Sequence, residues 1–187
     1  MSMKLLANVI LVASTFGFTG ISNASVYYLE NNNLSQPGNL ASVTLTDNGS
    51  DVDITVTAIS PTAEIAGLGF NLDGNPATIS CSSLPTPDYS CNVGSFQYDG
   101  AGNFTDEADP KNFGNKNRLP SFSFTLLGYN EADFIANADG YLFATHVYPD
   151  TGPTGFAYGG VVPVPAAVWL FGSGLLGLVG VARRRRA

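Results

Sequence analysis

Asp99-Gly100-Ala101-Gly102-Asn103-Phe104-Thr105-Asp106-Glu107-Ala108-Asp109 gathers four carboxylates and an asparagine within eleven residues. Oxygen donors at that density suit a hard cation such as calcium. Read as a loop, the segment offers Asp99, Asn103, Asp106 and Asp109 as ligands, although the order is not that of an EF-hand. Solvation of an acidic surface loop is the plainer account, and Lys111, Lys116 and Arg118 follow to neutralise part of it. A second carboxylate pair, Asp51 and Asp53, has the residue types that glycan hydrolysis uses. Those two alternate with Val52, Ile54 and Val56 and so face outward with Thr55 and Thr57, where solvation again accounts for them. The single histidine, His146, has no Gly-x-Ser-x-Gly elbow to serve, so a Ser-His triad is not expected. One histidine and two cysteines cannot build an ordinary zinc site. No catalytic residue and no cofactor beyond calcium is expected, and the chain reads as non-enzymatic.

The elements that carry these residues read as β-strands. Asp51 to Thr57 alternates strictly, and Leu40 to Thr46 alternates in part with β-branched residues. Between them, Asp47-Asn48-Gly49-Ser50 predicts a tight hairpin centred on Asn48-Gly49, two residues that tolerate positive φ. Further strands are expected at 26–30, 65–72, 93–98, 121–127 and 141–148, with a short helix or turn at 131–137 capped by Asn130. About seven short strands separated by Gly, Pro, Asn and Asp predict an all-β fold, a single antiparallel β-sandwich of jelly-roll or immunoglobulin-like type. Thr44/Thr46 and Thr55/Thr57 make only a short threonine patch, less than an ice-binding face requires. Tyr and Phe together number 20; the core takes most of them, and some can form a sugar-stacking surface. Asn33, Asn48 and Asn103 begin Asn-x-Ser/Thr triplets, the N-glycosylation pattern, which alone carries little meaning.

The charge is unevenly placed along the chain. Of 187 residues with net charge −7, the stretch from Glu30 to Asp150 holds all fifteen acidic residues and three cations, a net of −12. That balance excludes a nucleic-acid partner. Both ends are apolar and basic. Lys4, the apolar run from Leu5 to Ala13 and the small residues Ser22-Asn23-Ala24 read as a secretory signal peptide cut between Ala24 and Ser25 by signal peptidase. Export makes Cys81 and Cys91, the only two cysteines, a disulfide. Their separation is too wide for a Cys-x-x-Cys redox motif.

From Val161 to Ala182 no charge occurs, and Arg183, Arg184, Arg185 and Arg186 follow. Pro163 and Pro165 keep the start extended. A helix over 166–182 is 17 residues, about 25 Å long, just short of a hydrocarbon core, so it can span a membrane with little tilt or with local thinning. Trp169 suits one interface, and the arginines hold the far end in the cytoplasm. Gly172, Gly174, Gly177 and Gly180 make that helix easy to approach and to unwind. Val162-Pro163-Val164-Pro165-Ala166-Ala167-Val168-Trp169-Leu170-Phe171-Gly172 with the arginine cluster resembles the PEP-CTERM sorting signal, over about the last 26 residues. Pro163-Val164-Pro165 stands where the family has Pro-Glu-Pro. Thr-Leu-Thr-Asp-Asn-Gly, Gly-Leu-Gly-Phe-Asn-Leu and Ser-Phe-Ser-Phe-Thr-Leu are similar to strings in other PEP-CTERM passenger domains.

The resemblance implies a Gram-negative envelope protein, processed by exosortase, that accompanies an exopolysaccharide or biofilm system. It implies nothing about the chemistry of the passenger. The expected organisation is a signal peptide at 1–24, a β-sandwich at 25–160 and a sorting signal at 161–187. The domain would stand in the periplasm on an inner-membrane intermediate and then at the cell surface or in the matrix. Its expected role is structural or adhesive. A carbohydrate-binding module that uses calcium is the second reading, and an envelope hydrolase the third.

Overall fold

The computed structural model describes residues 24–59, 63–112 and 115–160. The signal peptide up to Asn23, the Pro163-Val164-Pro165 motif, the helix over 166–182 and the arginine tail lie outside the described residues. Among these residues eleven strands are formed: β1 (Ala24–Leu29), β2 (Asn31–Asn32), β3 (Ala41–Asn48), β4 (Asp51–Ala58), β5 (Glu64–Phe70), β6 (Cys81–Ser82), β7 (Tyr89–Tyr98), β8 (Gly102–Pro110), β9 (Ser121–Leu126), β10 (Phe143–Tyr148) and β11 (Gly155–Gly159). They make two antiparallel sheets, one in the order β1-β3-β4-β9-β6 and one in the order β2-β11-β10-β5-β8-β7. The fold is all-β, two sheets packed face to face. No α-helix occurs among the described residues.

Alternation along the strands decides which face is buried. Val52, Ile54 and Val56 of β4 and Phe122, Phe124 and Leu126 of β9 are at most 3% exposed. They join Ile65, Leu68, Phe70, Phe143 and Val147 of the other sheet in one core. The opposite face of β3, β4 and β9 is a grid of hydroxyls. Thr44 stands opposite Thr55 and Thr55 opposite Ser123, while Ser42, Thr57 and Ser121 form the adjoining row. Thr55 and Ser123 share a hydrogen bond of 2.8 Å, and Thr57 and Ser121 one of 3.0 Å. The threonine patch is therefore wider than its sequence neighbours showed, because β9 completes it from residues far along the chain.

The β3–β4 hairpin forms as expected but turns one residue later. Asn48 pairs with Asp51, so the centre is Gly49-Ser50, and the positive φ of 72° falls on Gly49 alone. A two-residue turn with glycine first matches the strand twist without strain. The helix or turn expected at 131–137 is a single 3-10 turn, Glu131–Asp133, capped reciprocally by Asn130 and Asp133.

The largest correction concerns the acidic segment. Residues 102–110 are not a loop; they form β8, paired to β5 on one side and β7 on the other. Phe104, Asp106, Ala108 and Pro110 are buried and alternate with more open neighbours. A strand placed between two others gives its acidic side chains fixed and opposite directions. Four strands escaped the sequence reading: β8, β11 and the two-residue β2 and β6.

Cys81 and Cys91 form a disulfide. Cys81 lies in β6 at one margin of its sheet and Cys91 in β7 at the margin of the other, so the bond ties the two sheets together. Closing a loop of ten residues stabilises the fold by about 3 kcal/mol on the chain-entropy treatment. The double variant Cys81→Ser/Cys91→Ser is expected to lose about that much in urea unfolding, with its far-ultraviolet circular dichroism retained. An unchanged unfolding midpoint would show that the tie contributes nothing.

Candidate functional site

Three strands carry aromatic residues two apart: Phe96 and Tyr98 on β7, His146 and Tyr148 on β10, Phe156 and Tyr158 on β11. Val147 of β10 and Ala157 of β11 belong to the core, so their neighbours His146, Tyr148 and Phe156 point the other way. On that outer face of the six-stranded sheet lies a cleft of about 680 Å³. Its walls include Phe96, Tyr98, Phe156, His146 and Tyr148, with Glu107 and Asp109 of β8 and Arg118 from the segment before β9.

Two β-bulges shape it. In β5 the register against β10 slips between Ala144 and His146, and Gly67 there has φ 69°. The Thr145 hydroxyl donates to the Gly67 carbonyl at 2.6 Å and holds the bulge in place. A Cβ on Gly67 would overlap the carboxylate of Asp109, so only glycine leaves room for that acid. In β7 the register against β8 slips between Val93 and Phe96, setting the direction of Phe96 and Tyr98. Tyr98 lies across Gly69, where any side chain would meet its ring. Its ring packs edge-on against Phe104 at 5.5 Å and Phe156 at 5.3 Å.

The polar groups divide into two ends. At one, the His146 ring stacks on Phe156 at 4.7 Å, and its Nδ1 shares a 2.8 Å hydrogen bond with the Tyr148 hydroxyl. The Arg118 guanidinium lies 3.9 Å from the centre of the Tyr148 ring, a cation–π contact. Burial, aided by the Arg118 charge, pushes the His146 pKa down to about 4, so the ring is neutral at pH 7. At the other end stand Glu107 and Asp109. Asn92 donates to Glu107 at 3.4 Å, while the Asp109 carboxylate has no hydrogen-bond or ion-pair partner among the described residues. Burial first, then the charge of Glu107, raises Asp109 to about 8. Burial likewise raises Glu107.

The four expected calcium ligands are not brought together. Asp99 sits in the β7–β8 connection and accepts from Asn33 at 3.1 Å. Asn103 is exposed at the start of β8. Asp106 turns inward and is fully buried. Its Oδ2 accepts from the Leu72 amide and the Thr105 hydroxyl, and its Oδ1 has no partner among the described residues. Burial holds that acid toward its neutral form. Asp109 faces the cleft. A shared cation would need a loop able to turn all four inward, and a paired strand forbids it; among the described residues no group of three or more acids, histidines or cysteines converges on a metal position.

Asp51 and Asp53 do lie outward, but their oxygens are engaged. Asp53 accepts from Thr125 at 2.6 Å and Asn48 at 3.2 Å, and Asp51 accepts from the Gly128 amide at 2.9 Å. Ala24 and Ser25 are the first residues of β1, opposite Thr46 and Leu45. The sequence reading gave Glu107 and Arg118 no place in a site and named no ring of the aromatic wall. The repeated aromatic-x-aromatic spacing at 96/98, 146/148 and 156/158 was the signal available.

The pKa shifts fix the direction of a pH effect on stability. Between the ordinary carboxyl range and about 8, folded Asp109 holds a proton that the unfolded chain has released, so stability falls as pH rises through that window. Asp106 and Glu107 act in the same direction. His146 acts oppositely, because between 6.5 and about 4 the folded ring lacks a proton that the unfolded one binds. Above pH 6.5 the histidine is silent and the carboxyls decide. The urea midpoint is therefore expected to drop between pH 6.5 and 8, and Asp109→Asn to flatten that drop while raising the midpoint at pH 8. An equal slope in the variant would refute the assignment.

The chain matches no family model, no curated protein and no solved structure.

Proposed function

We propose that the chain is an exported, non-enzymatic surface or matrix protein whose β domain holds polysaccharide in the outer-face cleft. The observation that carries this reading is the cleft itself, an aromatic wall interleaved with hydrogen-bonding side chains. Ligand sites are concave and mostly apolar, with a few placed polar groups. Sugar rings have apolar faces and hydroxyl rims, and an aromatic wall with polar groups along it meets both. The signal-peptide pattern at 1–24, the resemblance of residues 162–187 to a PEP-CTERM sorting signal and the disulfide all support an exported protein.

Hydrolysis is the reading set aside. Glu107 and Asp109 are two apart on β8 and so stand on one side of any bound chain. Glycoside hydrolysis needs its two carboxyls to flank the scissile bond. Among the described residues no other acid lines the cleft.

The test is affinity electrophoresis of the protein in gels containing extracellular polysaccharide from its own host. Retardation is expected, and Phe96→Ala/Phe156→Ala should weaken it at least about tenfold, the scale of losing two aromatic contacts. Circular dichroism must remain that of the parent. No retardation with any fraction would overturn the reading, and release of new reducing ends would replace it with the hydrolase.

Sorting has its own test. The intact mass of the protein recovered from its host is expected to lack residues 1–24 and the segment after Pro163-Val164-Pro165. Replacing Pro163 and Pro165 should block the second cut. A mature chain still ending at Arg186-Ala187 would remove exosortase from the account.

A further inference from the structure

Glu107 and Asp109 stand side by side in the cleft, and neither has a cationic partner among the described residues. Asn92 reaches only Glu107, and no basic side chain pairs with either acid among the described residues. Arg118 lies against the Tyr148 ring, at the histidine end. The position is also built. Gly67 takes a left-handed conformation under the Asp109 carboxylate, and Thr145 fixes that bulge through the Gly67 carbonyl. Two partly buried acids without a counter-charge cost stability, and a glycine reserved for one of them marks a position held at a cost. The rings of Phe96 and Phe156 wall the same cleft, half-buried. Carboxylates beside aromatic faces form the environment that binds an ammonium group.

We infer that the cleft is selective for a glycan bearing free amino groups, whose ammonium sits between the Glu107 and Asp109 carboxylates while the sugar ring lies against the aromatic wall. This rests on the polysaccharide-binding reading above and names the sugar class. An amino sugar supplies the missing charge at the acid end and leaves Arg118, His146 and Tyr148 to meet hydroxyls at the other. An acetylated amine is neutral and bulkier, and gains nothing from the acids. Anionic sugars bring no proton-displacing cation to the pair and are repelled wherever either acid is ionised. Because Asp109 holds a proton at pH 7 before binding, arrival of an ammonium displaces it, so binding releases protons to the buffer.

The experiment is calorimetry on the full chain in mild detergent at pH 6, with two probes of equal length. One is a β-1,4-linked glucosamine hexamer, the other its fully N-acetylated counterpart. The free-amine hexamer is expected to bind at least tenfold tighter, with proton release that scales with the ionisation heat of the buffer. Asp109→Asn and Glu107→Gln, both close to isosteric, should each cut the preference several-fold, and together bring the probes to parity. Equal affinity for the two probes, or preference for the acetylated one, would overturn the amine inference and leave polysaccharide binding standing. A preference that survives in the double variant would overturn it as well, by placing the selectivity elsewhere. Binding of neither hexamer overturns the inference. Loss of host-polysaccharide retardation is what removes the broader reading.

Discussion

Ile54, Val56, Phe122 and Phe124 on one sheet and Leu68, Phe70, Phe143 and Val147 on the other leave water together, through one face-to-face contact between two sheets. A strand has a period of two, so each residue given to that contact commits its neighbours to the outside. The outer faces are therefore not free choices made strand by strand. On β3, β4 and β9 of the five-stranded sheet the remaining positions are largely hydroxyls, two pairs of which bond across strands. On the six-stranded sheet they include the aromatic rings and the acids of the cleft. A slip of one residue in β10 would bring His146 and Tyr148 into the core and turn Val147 out. The register that builds the core also holds the cleft.

The cleft departs from regular sheet geometry at two places, and both are bulges. The glycine at position 67 lets the backbone take a conformation that other residues resist, and the space left by its missing side chain is filled by a carboxylate. Around it the energetics run against stability. Asp109 and Glu107 are partly desolvated neighbours, and Asp106 is fully buried with one oxygen unpartnered among the described residues. Hydrophobic burial and the disulfide must offset these terms. A fold selected for stability alone has no use for three acids on one internal strand.

How much of this was legible in the sequence follows from range. The β3–β4 hairpin was readable because alternation and turn lie within eighteen residues, and only the position of the turn within Asn48-Gly49-Ser50 was missed. β8 was misread because acidic residues argue for solvent, and Phe104, Ala108 and Pro110, its apolar positions, are interrupted by Asp106. Burial of an aspartate in a central strand is a tertiary effect that local propensity opposes. The expected calcium ligands lay close in sequence and proved far apart in direction. The cleft residues run from Ala66 to Phe156 and meet only through strand order, which no local pattern encodes. The disulfide was legible by count alone. That it joins two sheets was not, since β6 is two residues long and carries no strand signal.

The two margins of the sandwich are fastened differently. One is held by the covalent bond between β6 and β7; at the other, the Gly160 amide beyond β11 bonds the Tyr28 carbonyl of β1 at 3.1 Å and lies within reach of the Glu30 carboxylate. Tension applied to the chain past Gly160 therefore loads the weaker margin first. The sheets would part like book covers about a sulfur spine, against those hydrogen bonds and the buried contact between the sheets, while the covalent spine keeps the covers from separating.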